Sequence, residues 1–242
     1  MKCGSSTFSL ETNETSKYAK SRTYHVFFPT SLCNGTADAN ANDNADANDD
    51  ANDELLVVDS DHENSNNILS ITDLDRIGIR KLPLVFALHS WHRNADLFSF
   101  WEDLAQEFNF VLVRPEGVFG SWNAQVCCSR ANTMGIDEES FFSQMISSLA
   151  SMTHGFLDKN LVYALGWSNG AFMISRIAHF FQAIAPISGY QYNTTEYPTF
   201  AGNRSISLFQ HHGLTDTGVN FQGFVWMDRQ RDTHVWRKLS KR

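Results

Sequence analysis

Several classes of protein are excluded by what this sequence lacks. No apolar run exceeds about six residues, whereas a helix that crosses a bilayer needs about 20. We therefore expect no membrane span and no membrane partner. The chain also starts without the apolar stretch of about 7–15 residues that defines a signal peptide. Taken at face value, that start predicts a protein that is not exported.

The sequence has no excess of basic residues beyond a near balance with acidic ones. The net charge of −8 comes from residues 34–63, which hold ten acidic side chains and no Lys or Arg. The remaining chain carries 19 basic against 17 acidic residues. Binding to nucleic acid needs clustered Lys and Arg, so we expect no nucleic-acid partner.

Residues 37–50 contain only Ala, Asn and Asp. Such a tract has no large apolar side chain to bury, so it cannot offset the entropy of ordering. We expect a disordered acidic insertion at about residues 34–67. Binding of a metal by its carboxylates is the alternative, but the glycine-punctuated spacing of a calcium loop is missing.

Cysteine is also rare, with four residues in all, Cys3, Cys33, Cys127 and Cys128. Four are too few for a disulfide scaffold, and no C-x-x-C pair indicates zinc. Adjacent cysteines rarely bond each other because the small ring strains the peptide. A bridge from this pair would have to reach elsewhere, and the alternative is two small buried thiols.

Apolar runs alternate with helical patterns along the rest of the chain. The runs typical of strands cover residues 23–28, 84–88, 110–113, 161–165, 183–187 and 205–209, and helical spacing covers residues 97–108, 137–151 and 171–181. Continuous apolar runs indicate strands buried on both faces. The alternation predicts an α/β fold, a mostly parallel sheet with helices on both faces. We assign residues 23–242 to this domain and expect residues 1–22 to be disordered.

A candidate nucleophile follows the apolar run at residues 161–165. Residues 166–170 read Gly-Trp-Ser-Asn-Gly and precede a helical pattern. This G-x-S-x-G motif between a strand and a helix predicts a strained turn that exposes the hydroxyl of Ser168. Its glycines keep Cβ atoms out of a crowded turn. An ordinary strand-to-helix turn that happens to contain Ser is the alternative.

Two backbone N–H groups are needed to stabilise an oxyanion. One is expected from Asn169, directly after the nucleophile. The other is expected from the loop at residues 88–91, which follows an earlier buried run. His89 in that loop is interpreted as a bracing residue rather than a base. If the loop requires a positive φ at Ser90, that residue costs about 1 kcal/mol.

An acid and then a histidine should follow the nucleophile in this fold. Asp216 comes after the run at residues 205–209, where it suits the residue that orients a base. A turn aspartate is the alternative. Only His234 follows Asp216 among the nine histidines, and no clear strand lies between them to carry it back over the site.

Several segments together resemble the polyhydroxybutyrate depolymerase and feruloyl esterase family (LpqC-like esterases, carbohydrate esterase family 1). The matching segments are PLVFALHSW, FWEDLAQEFNFVLVRPEG, SWNAQVCC, IDEESFF, LVYALGWSNGAFMISRIA, FQAIAPISG and HHGLTD. WNA followed by CC and then GWSNGA is close to a signature of that family. The resemblance covers about residues 23–223 and implies an α/β-hydrolase fold.

The resemblance also implies an activity and its residues. It implies a serine esterase that cleaves feruloyl or acetyl esters of polysaccharides, or polyhydroxyalkanoate esters, without a metal or cofactor. Ser168 is then the nucleophile and Asp216 the acid of the triad, with the N–H groups of Trp91 and Asn169 as oxyanion donors. Trp122 and Asn123 become substrate-binding wall residues of the site.

The family also implies a monomer with an extracellular location. Four Asn-x-Ser/Thr sequons also slightly favour a secreted protein; they are Asn13, Asn34, Asn193 and Asn203.

Three departures from the family pattern bear on function. Ser90 replaces a glycine, and His179 stands where relatives often have a cysteine, so a disulfide to Cys127 or Cys128 is in doubt. Relatives carry the catalytic histidine some 50 or more residues beyond the acid, but this chain ends 26 residues after Asp216. We expect a C-terminally truncated hydrolase, incomplete at that end, rather than a relocated base at His234.

Two functions of different class follow from these observations. The first is the serine esterase. The second is a catalytically impaired protein of the same fold, which binds a carbohydrate- or polyester-like ligand through Trp91 and Trp122. A histidine close to Ser168 distinguishes them, because a serine without its base is a weak nucleophile. A peptidase or a dienelactone hydrolase fits the G-x-S-x-G motif but not the WNA and CC segment.

Overall fold

The described residues are organised around a mostly parallel sheet, as the sequence predicts. The computed structural model describes residues 3–12, 19–32, 81–125, 127–128, 130–153, 156–190 and 205–221. The strands are β1 (Gly4–Glu11), β2 (Ser21–Phe28), β3 (Leu82–Leu88), β4 (Val111–Pro115), β5 (Leu157–Trp167), β6 (Ala183–Ile187) and β7 (Ser207–Leu208). The helices are α1 (Trp101–Glu107), α2 (Arg130–Thr133), α3 (Glu138–Met152) and α4 (Asn169–Arg176).

The strand order is β1-β2-β4-β3-β5-β6-β7. The two pairings of β2 are antiparallel, and the strands from β4 to β7 are parallel. This order, with a G-x-S-x-G turn after β5, is that of an α/β-hydrolase fold and confirms the predicted fold class. The carboxyl ends of parallel strands meet at one edge, so the loops after β3, β5, β6 and β7 converge there.

The N-terminus corrects one prediction. Residues 1–22 were expected to be disordered, but β1 pairs with β2 over its full length, from Gly4 opposite Phe28 to Glu11 opposite Ser21. Alternate residues of β1 are half-buried, and the ring of Phe8 stacks on Tyr24 with centroids 5.5 Å apart. The acidic insertion at residues 34–67 lies outside the described residues, so the prediction of disorder stays a prediction.

Aromatic side chains fill the space between the sheet and its helices. The fully buried ring of Phe86 on β3 lies 5.5 Å from Phe142 on α3 and 6.0 Å from Phe181 beyond α4. The side chain of Asp137 accepts from the N–H of Ser140 at 3.0 Å and caps α3. The predicted helix at residues 97–108 is interrupted: a short 3-10 turn at Ala95–Phe98 precedes α1.

The adjacent cysteines also differ from expectation. Cys127 and Cys128 are joined to each other by a disulfide, whereas a bridge between neighbours was considered unfavourable. Both residues have positive φ, 30° and 66°. In this backbone the two side chains turn to the same side, instead of diverging as they do along a strand.

A buried ion pair ties β2 to α3. Arg22 donates to the carboxylate of Glu138 at 2.7 Å, and both side chains are almost fully buried. The guanidinium carbon of Arg22 lies 3.8 Å from the ring centroid of Phe141. The other oxygen of Glu138 accepts from the backbone N–H of Asn123 at 3.0 Å. One buried carboxylate therefore connects the antiparallel edge of the sheet to the loop behind the candidate site.

Replacing Glu138 by Ala should cost about 3–5 kcal/mol in the free energy of unfolding, because Arg22 would stay buried without a counter-charge. Urea denaturation of the variant and the wild type measures the difference. Glu139→Ala, on the next and less buried residue of α3, is the control and should change stability by less than about 1 kcal/mol. Equal losses in the two variants would contradict a special role for the pair.

Candidate active site

Ser168 lies on a sharp turn between β5 and α4. Its φ of 52° and ψ of −112° are rarely adopted by residues other than glycine. The backbone N–H of Ser168 donates to the carbonyl of Ile187 at 2.8 Å, and its own carbonyl accepts from Phe172 at 3.1 Å. The residue is partly exposed to solvent. A strained backbone held from both sides is typical of a functional position.

Glycine is required on both sides of this turn by close packing. A Cβ on Gly170 would lie 2.7 Å from the carbonyl oxygen of His89 and closer still to that of Leu88. A Cβ on Gly166 would lie 2.9 Å from the backbone nitrogen of Ala171. Helix α4 therefore starts in direct backbone contact with the end of β3, as the two motif glycines predict.

Gly170→Ala should destabilise the protein by at least about 2 kcal/mol, because the backbone of Leu88 and His89 cannot move without disturbing β3. Thermal unfolding followed by circular dichroism measures the loss. Gly213→Ala is the matched control, since a Cβ there meets its nearest neighbour at an ordinary 3.8 Å, and its melting temperature should stay close to that of the wild type. A stable Gly170→Ala protein would show that α4 is free to shift.

Three side chains lock the loops behind the turn together. The buried amide of Asn169 accepts from the backbone N–H of Trp122 at 2.7 Å and donates to the carbonyl of Trp122 at 3.3 Å. The indole N–H of Trp122 donates to the carbonyl of His89 at 2.9 Å. The ring of His89 accepts from the N–H of Gly117 at 2.9 Å and contacts the carbonyl of Ser90 at 2.9 Å. The ends of β3, β4 and β5 thereby form one hydrogen-bonded unit.

His89 is a bracing residue, as the sequence predicts, and both of its ring nitrogens are engaged. Burial is the largest influence on its pKa and lowers it; the Ser90 carbonyl and the carboxylates of Glu116 and Glu138 raise the pKa without outweighing burial. The neutral ring is therefore favoured near neutral pH. Glu116 Oε2 lies 3.9 Å from His89 Nε2, but Nε2 accepts from the N–H of Gly117 and therefore carries no proton in this arrangement.

Folding stability should consequently fall as the pH drops below about 6.5, the ordinary pKa of histidine. Below that value the unfolded chain takes up a proton that folded His89 resists, and stability rises with pH wherever the unfolded state binds more protons. His179 adds an effect of the same sign, because burial lowers its pKa too. Melting temperatures of the wild type and His89→Gln between about pH 7 and pH 5 should show a shallower decline in the variant.

His179→Gln should also flatten the decline, and the double variant should flatten it further. A decline that is unchanged in both single variants would rule out these histidines as its source.

The N–H groups predicted for an oxyanion hole lie at the same sheet edge as Ser168. Leu88 pairs with Gly166, so the loop that carries Trp91 and the turn that carries Asn169 leave neighbouring strands at one level. Asn169 is the first residue of α4, and the first N–H groups of a helix have no partner within it. The positive φ considered for Ser90 occurs instead at His92, with a φ of 57°.

The two predicted wall residues have another role in the structure. Trp122 is fully buried, and its polar groups bind Asn169 and His89. Asn123 is nearly buried; its side chain donates to the carbonyl of Ile136 at 2.8 Å, and its carbonyl accepts from Arg176. Both side chains are buried and bind neighbouring backbone groups, so the structure does not show them as the exposed walls that the sequence resemblance implies. Among the tryptophans named for the site, Trp91 is the exposed one, at 44%.

Asp216 is held by the loop that follows β7. Its Oδ1 accepts from the backbone N–H groups of Gly218 and Val219, both at 2.9 Å. Burial raises the pKa of this carboxyl, but the hydrogen bonds from Val219 and Gly218, with Ser188 and His212 nearby, outweigh it and lower the pKa below its ordinary value. The ionised form is therefore favoured. The carboxylate is thus held by two backbone N–H groups and by a hydrogen bond from the side chain of Ser188.

Ser168 and Asp216 stand two strands apart across the end of β6. The N–H of Ser168 donates to the carbonyl of Ile187. Ser188, which follows Ile187, donates its N–H to the carbonyl of His211 at 2.9 Å. Two strand spacings amount to about 10 Å between backbones, which leaves room for an imidazole between the two side chains. His234, the candidate base that the sequence analysis disfavours, lies outside the described residues, and its role stays untested.

Sequence reasoning missed the polar residues that support this site. Arg22 and Glu138 are buried and Arg176 is half-buried. All three act on the loops behind the site, and charged residues of this kind carry no motif. His212 lies four residues before Asp216 in a loop, where no periodic pattern marks it. Ser188 was also missed. Its φ of 48° is unusual for a residue other than glycine, but a backbone angle is not visible in the sequence.

Within the described part of the chain, no helix has the length and apolar character of a membrane span. The same residues contain no group of three or more His, Cys, Asp or Glu side chains placed to hold a metal ion.

Comparison with known proteins adds structural neighbours at low identity. No family model and no curated protein matches the sequence. A ferulic acid esterase is 14% identical with a TM-score of 0.42, over 76% of this chain and 59% of its own. The poly(3-hydroxybutyrate) depolymerase LpqC from Bordetella parapertussis is 13% identical with a TM-score of 0.44, over 83% and 59%. Poly(aspartic acid) hydrolase-1 from Sphingomonas sp. KT-1 is 14% identical with a TM-score of 0.49, over 90% and 74%.

The chain is similar in structure to α/β-hydrolase esterases. It spans 59% of the length of the first two neighbours. With TM-scores below 0.5, these likenesses carry no functional argument, and the geometry around Ser168 is the evidence for chemistry.

Proposed function

We propose that this protein is a serine-dependent carboxylic ester hydrolase. The conformation of Ser168 carries the proposal: its φ of 52° on a turn before α4 presents the hydroxyl where the helix N-terminus stabilises negative charge. Asp216 supplies an ionised carboxylate on the loop after β7, two strands away from the turn at Ser168. Ser168 would attack the ester carbonyl, and the resulting oxyanion would be bound by the N–H groups of Asn169 and Trp91.

The substrate class we propose is the feruloyl or acetyl ester of a polysaccharide, or a polyhydroxyalkanoate ester. Support comes from the sequence resemblance, in particular the WNA and CC segment before GWSNGA, and from the exposed aromatic side chains at the same edge as Ser168, those of Trp91 and Trp167. An extracellular location and a monomeric state belong to the same proposal.

A fluorophosphonate probe tests the nucleophile. The probe should label the wild type and should not label Ser168→Ala, because Ser168 alone among the described serines combines a positive φ with the first position before a helix. Mass spectrometry of the labelled peptide identifies the site. Ser90→Ala is the matched control, as it removes a neighbouring hydroxyl in the loop after β3 and should leave labelling intact. Labelling of Ser168→Ala at the rate of the wild type would remove the basis of the proposal.

His234 is tested by the same probe and by hydrolysis of methyl ferulate and p-nitrophenyl acetate. If His234 is the base, His234→Ala should abolish turnover, since losing a triad member costs several powers of ten. A change of less than tenfold would mean that His234 is not the base.

A catalytically impaired binding protein is the second candidate. It is favoured by one observation: among the described residues, no histidine forms a hydrogen bond with Ser168, and the ring nitrogens of His89 and His212 are engaged elsewhere. Binding of ferulic acid or a 3-hydroxybutyrate oligomer without turnover, and loss of that binding in Trp91→Ala, would select this candidate.

A further inference from the structure

His212 lies in the loop between β7 and Asp216, and its side chain is only 3% exposed. Its Nε2 is 2.7 Å from the carbonyl oxygen of Val219, and its Nδ1 is 3.4 Å from the amide nitrogen of Gln210. The same amide nitrogen lies 2.7 Å from the carbonyl oxygen of Gly189. The imidazole is therefore contacted at both nitrogens by groups of known polarity.

These partners determine which nitrogen of His212 carries the proton. A carbonyl oxygen can only accept, so Gly189 orients the side-chain amide of Gln210 with its nitrogen inward. That nitrogen can only donate, so Nδ1 of His212 accepts. The carbonyl of Val219 in turn requires a donor, which is Nε2–H. A neutral imidazole with its proton on Nε2 satisfies every one of these contacts.

The contact with Val219 connects His212 to the carboxylate of Asp216. The N–H of Val219 donates to Asp216 Oδ1 at 2.9 Å, while the carbonyl of the same residue accepts from His212. Nε2 of His212 is 3.8 Å from Asp216 Oδ2, too far for a hydrogen bond. His212 therefore acts on Asp216 through the backbone of Val219, and it cannot be the base while Nε2–H is donated there.

We propose that His212 is a positioning residue for the acid of the site. Its Nε2–H holds the loop at residues 213–219 closed, so that the backbone N–H groups of Gly218 and Val219 bind Oδ1 of Asp216 and fix the orientation of the carboxylate. Gln210 extends this support to Gly189, which packs beside Ser168: a Cβ there would lie 2.9 Å from the Ser168 carbonyl oxygen. The inference rests on the proposed function, in which Asp216 is the triad acid.

The first test is spectroscopic and needs no activity. Two-bond proton–nitrogen correlation spectra of the ¹⁵N-labelled full chain, near neutral pH, should show His212 protonated at Nε2 and unprotonated at Nδ1. The signal is assigned by its loss in His212→Gln. A proton on Nδ1 would overturn the proposed contacts with Gln210 and Val219.

The second test follows the backbone amide signals of Gly218 and Val219, which report their hydrogen bonds to Asp216. His212→Phe should shift both signals. His212→Gln keeps an N–H donor and should shift them less. His211→Gln alters an exposed neighbour and is the control. Unchanged signals in His212→Phe would mean that the loop holds Asp216 without His212.

The third test is the rate at which the fluorophosphonate probe labels Ser168. His212→Phe should slow labelling at least about tenfold, and His212→Gln should restore much of that rate. Against an Asp216→Ala background, His212→Phe should cause no further loss, because the two residues act as one unit. A further loss of the same size would show that His212 acts elsewhere in the site. If the wild type is not labelled at Ser168 at all, the proposed function fails, and the two spectroscopic readouts still decide the role of His212.

Discussion

The site depends on how closely helix α4 approaches the end of strand β3. No side chain separates Gly170 from the carbonyl groups of Leu88 and His89, so the first turn of the helix rests on the strand backbone. That contact forces the chain from β5 into α4 through a sharp turn, and Ser168 takes the positive φ at its apex. The same contact brings the first N–H group of α4 to the level of the loop after β3. The proposed nucleophile and the proposed oxyanion donors thus depend on the same backbone contact.

Buried polar groups maintain this contact from behind. Asn169 forms two hydrogen bonds with the backbone of Trp122, and the neighbouring Asn123 is bound by the carboxylate of Glu138. A buried ion pair does not by itself add stability over a well-packed apolar pair. Here the ion pair with Arg22 specifies geometry, because it fixes the loop against which the amide of Asn169 is aligned. Charged residues far from Ser168 in sequence therefore contribute to its position.

The fold and the strand-to-helix turn at Ser168 could be predicted from sequence because their signals are local. Buried strands read as continuous apolar runs, and the strand-to-helix turn at Ser168 lies within five residues. β1 escaped prediction because an edge strand with one half-buried face alternates Ser and Thr with apolar residues such as Phe8 and Leu10, and so reads as polar. Trp122 was misjudged for a different reason: whether an aromatic ring lines a site or braces it depends on what packs over it, and a motif does not record that.

The two halves of the site have different origins. The position of Ser168 needs strands β3, β5 and β6 to be assembled, so it exists only in the cooperatively folded sheet. The carboxylate of Asp216 accepts from N–H groups two and three residues further along the chain, and His212 contacts the same loop, so its local geometry depends mainly on residues 212–219. A loop that holds its carboxylate mainly through its own hydrogen bonds can be transferred to another position in a fold. During divergence, such a turn could move to the end of another strand with its hydrogen bonds intact, whereas the nucleophile could not be relocated without rebuilding the sheet around it.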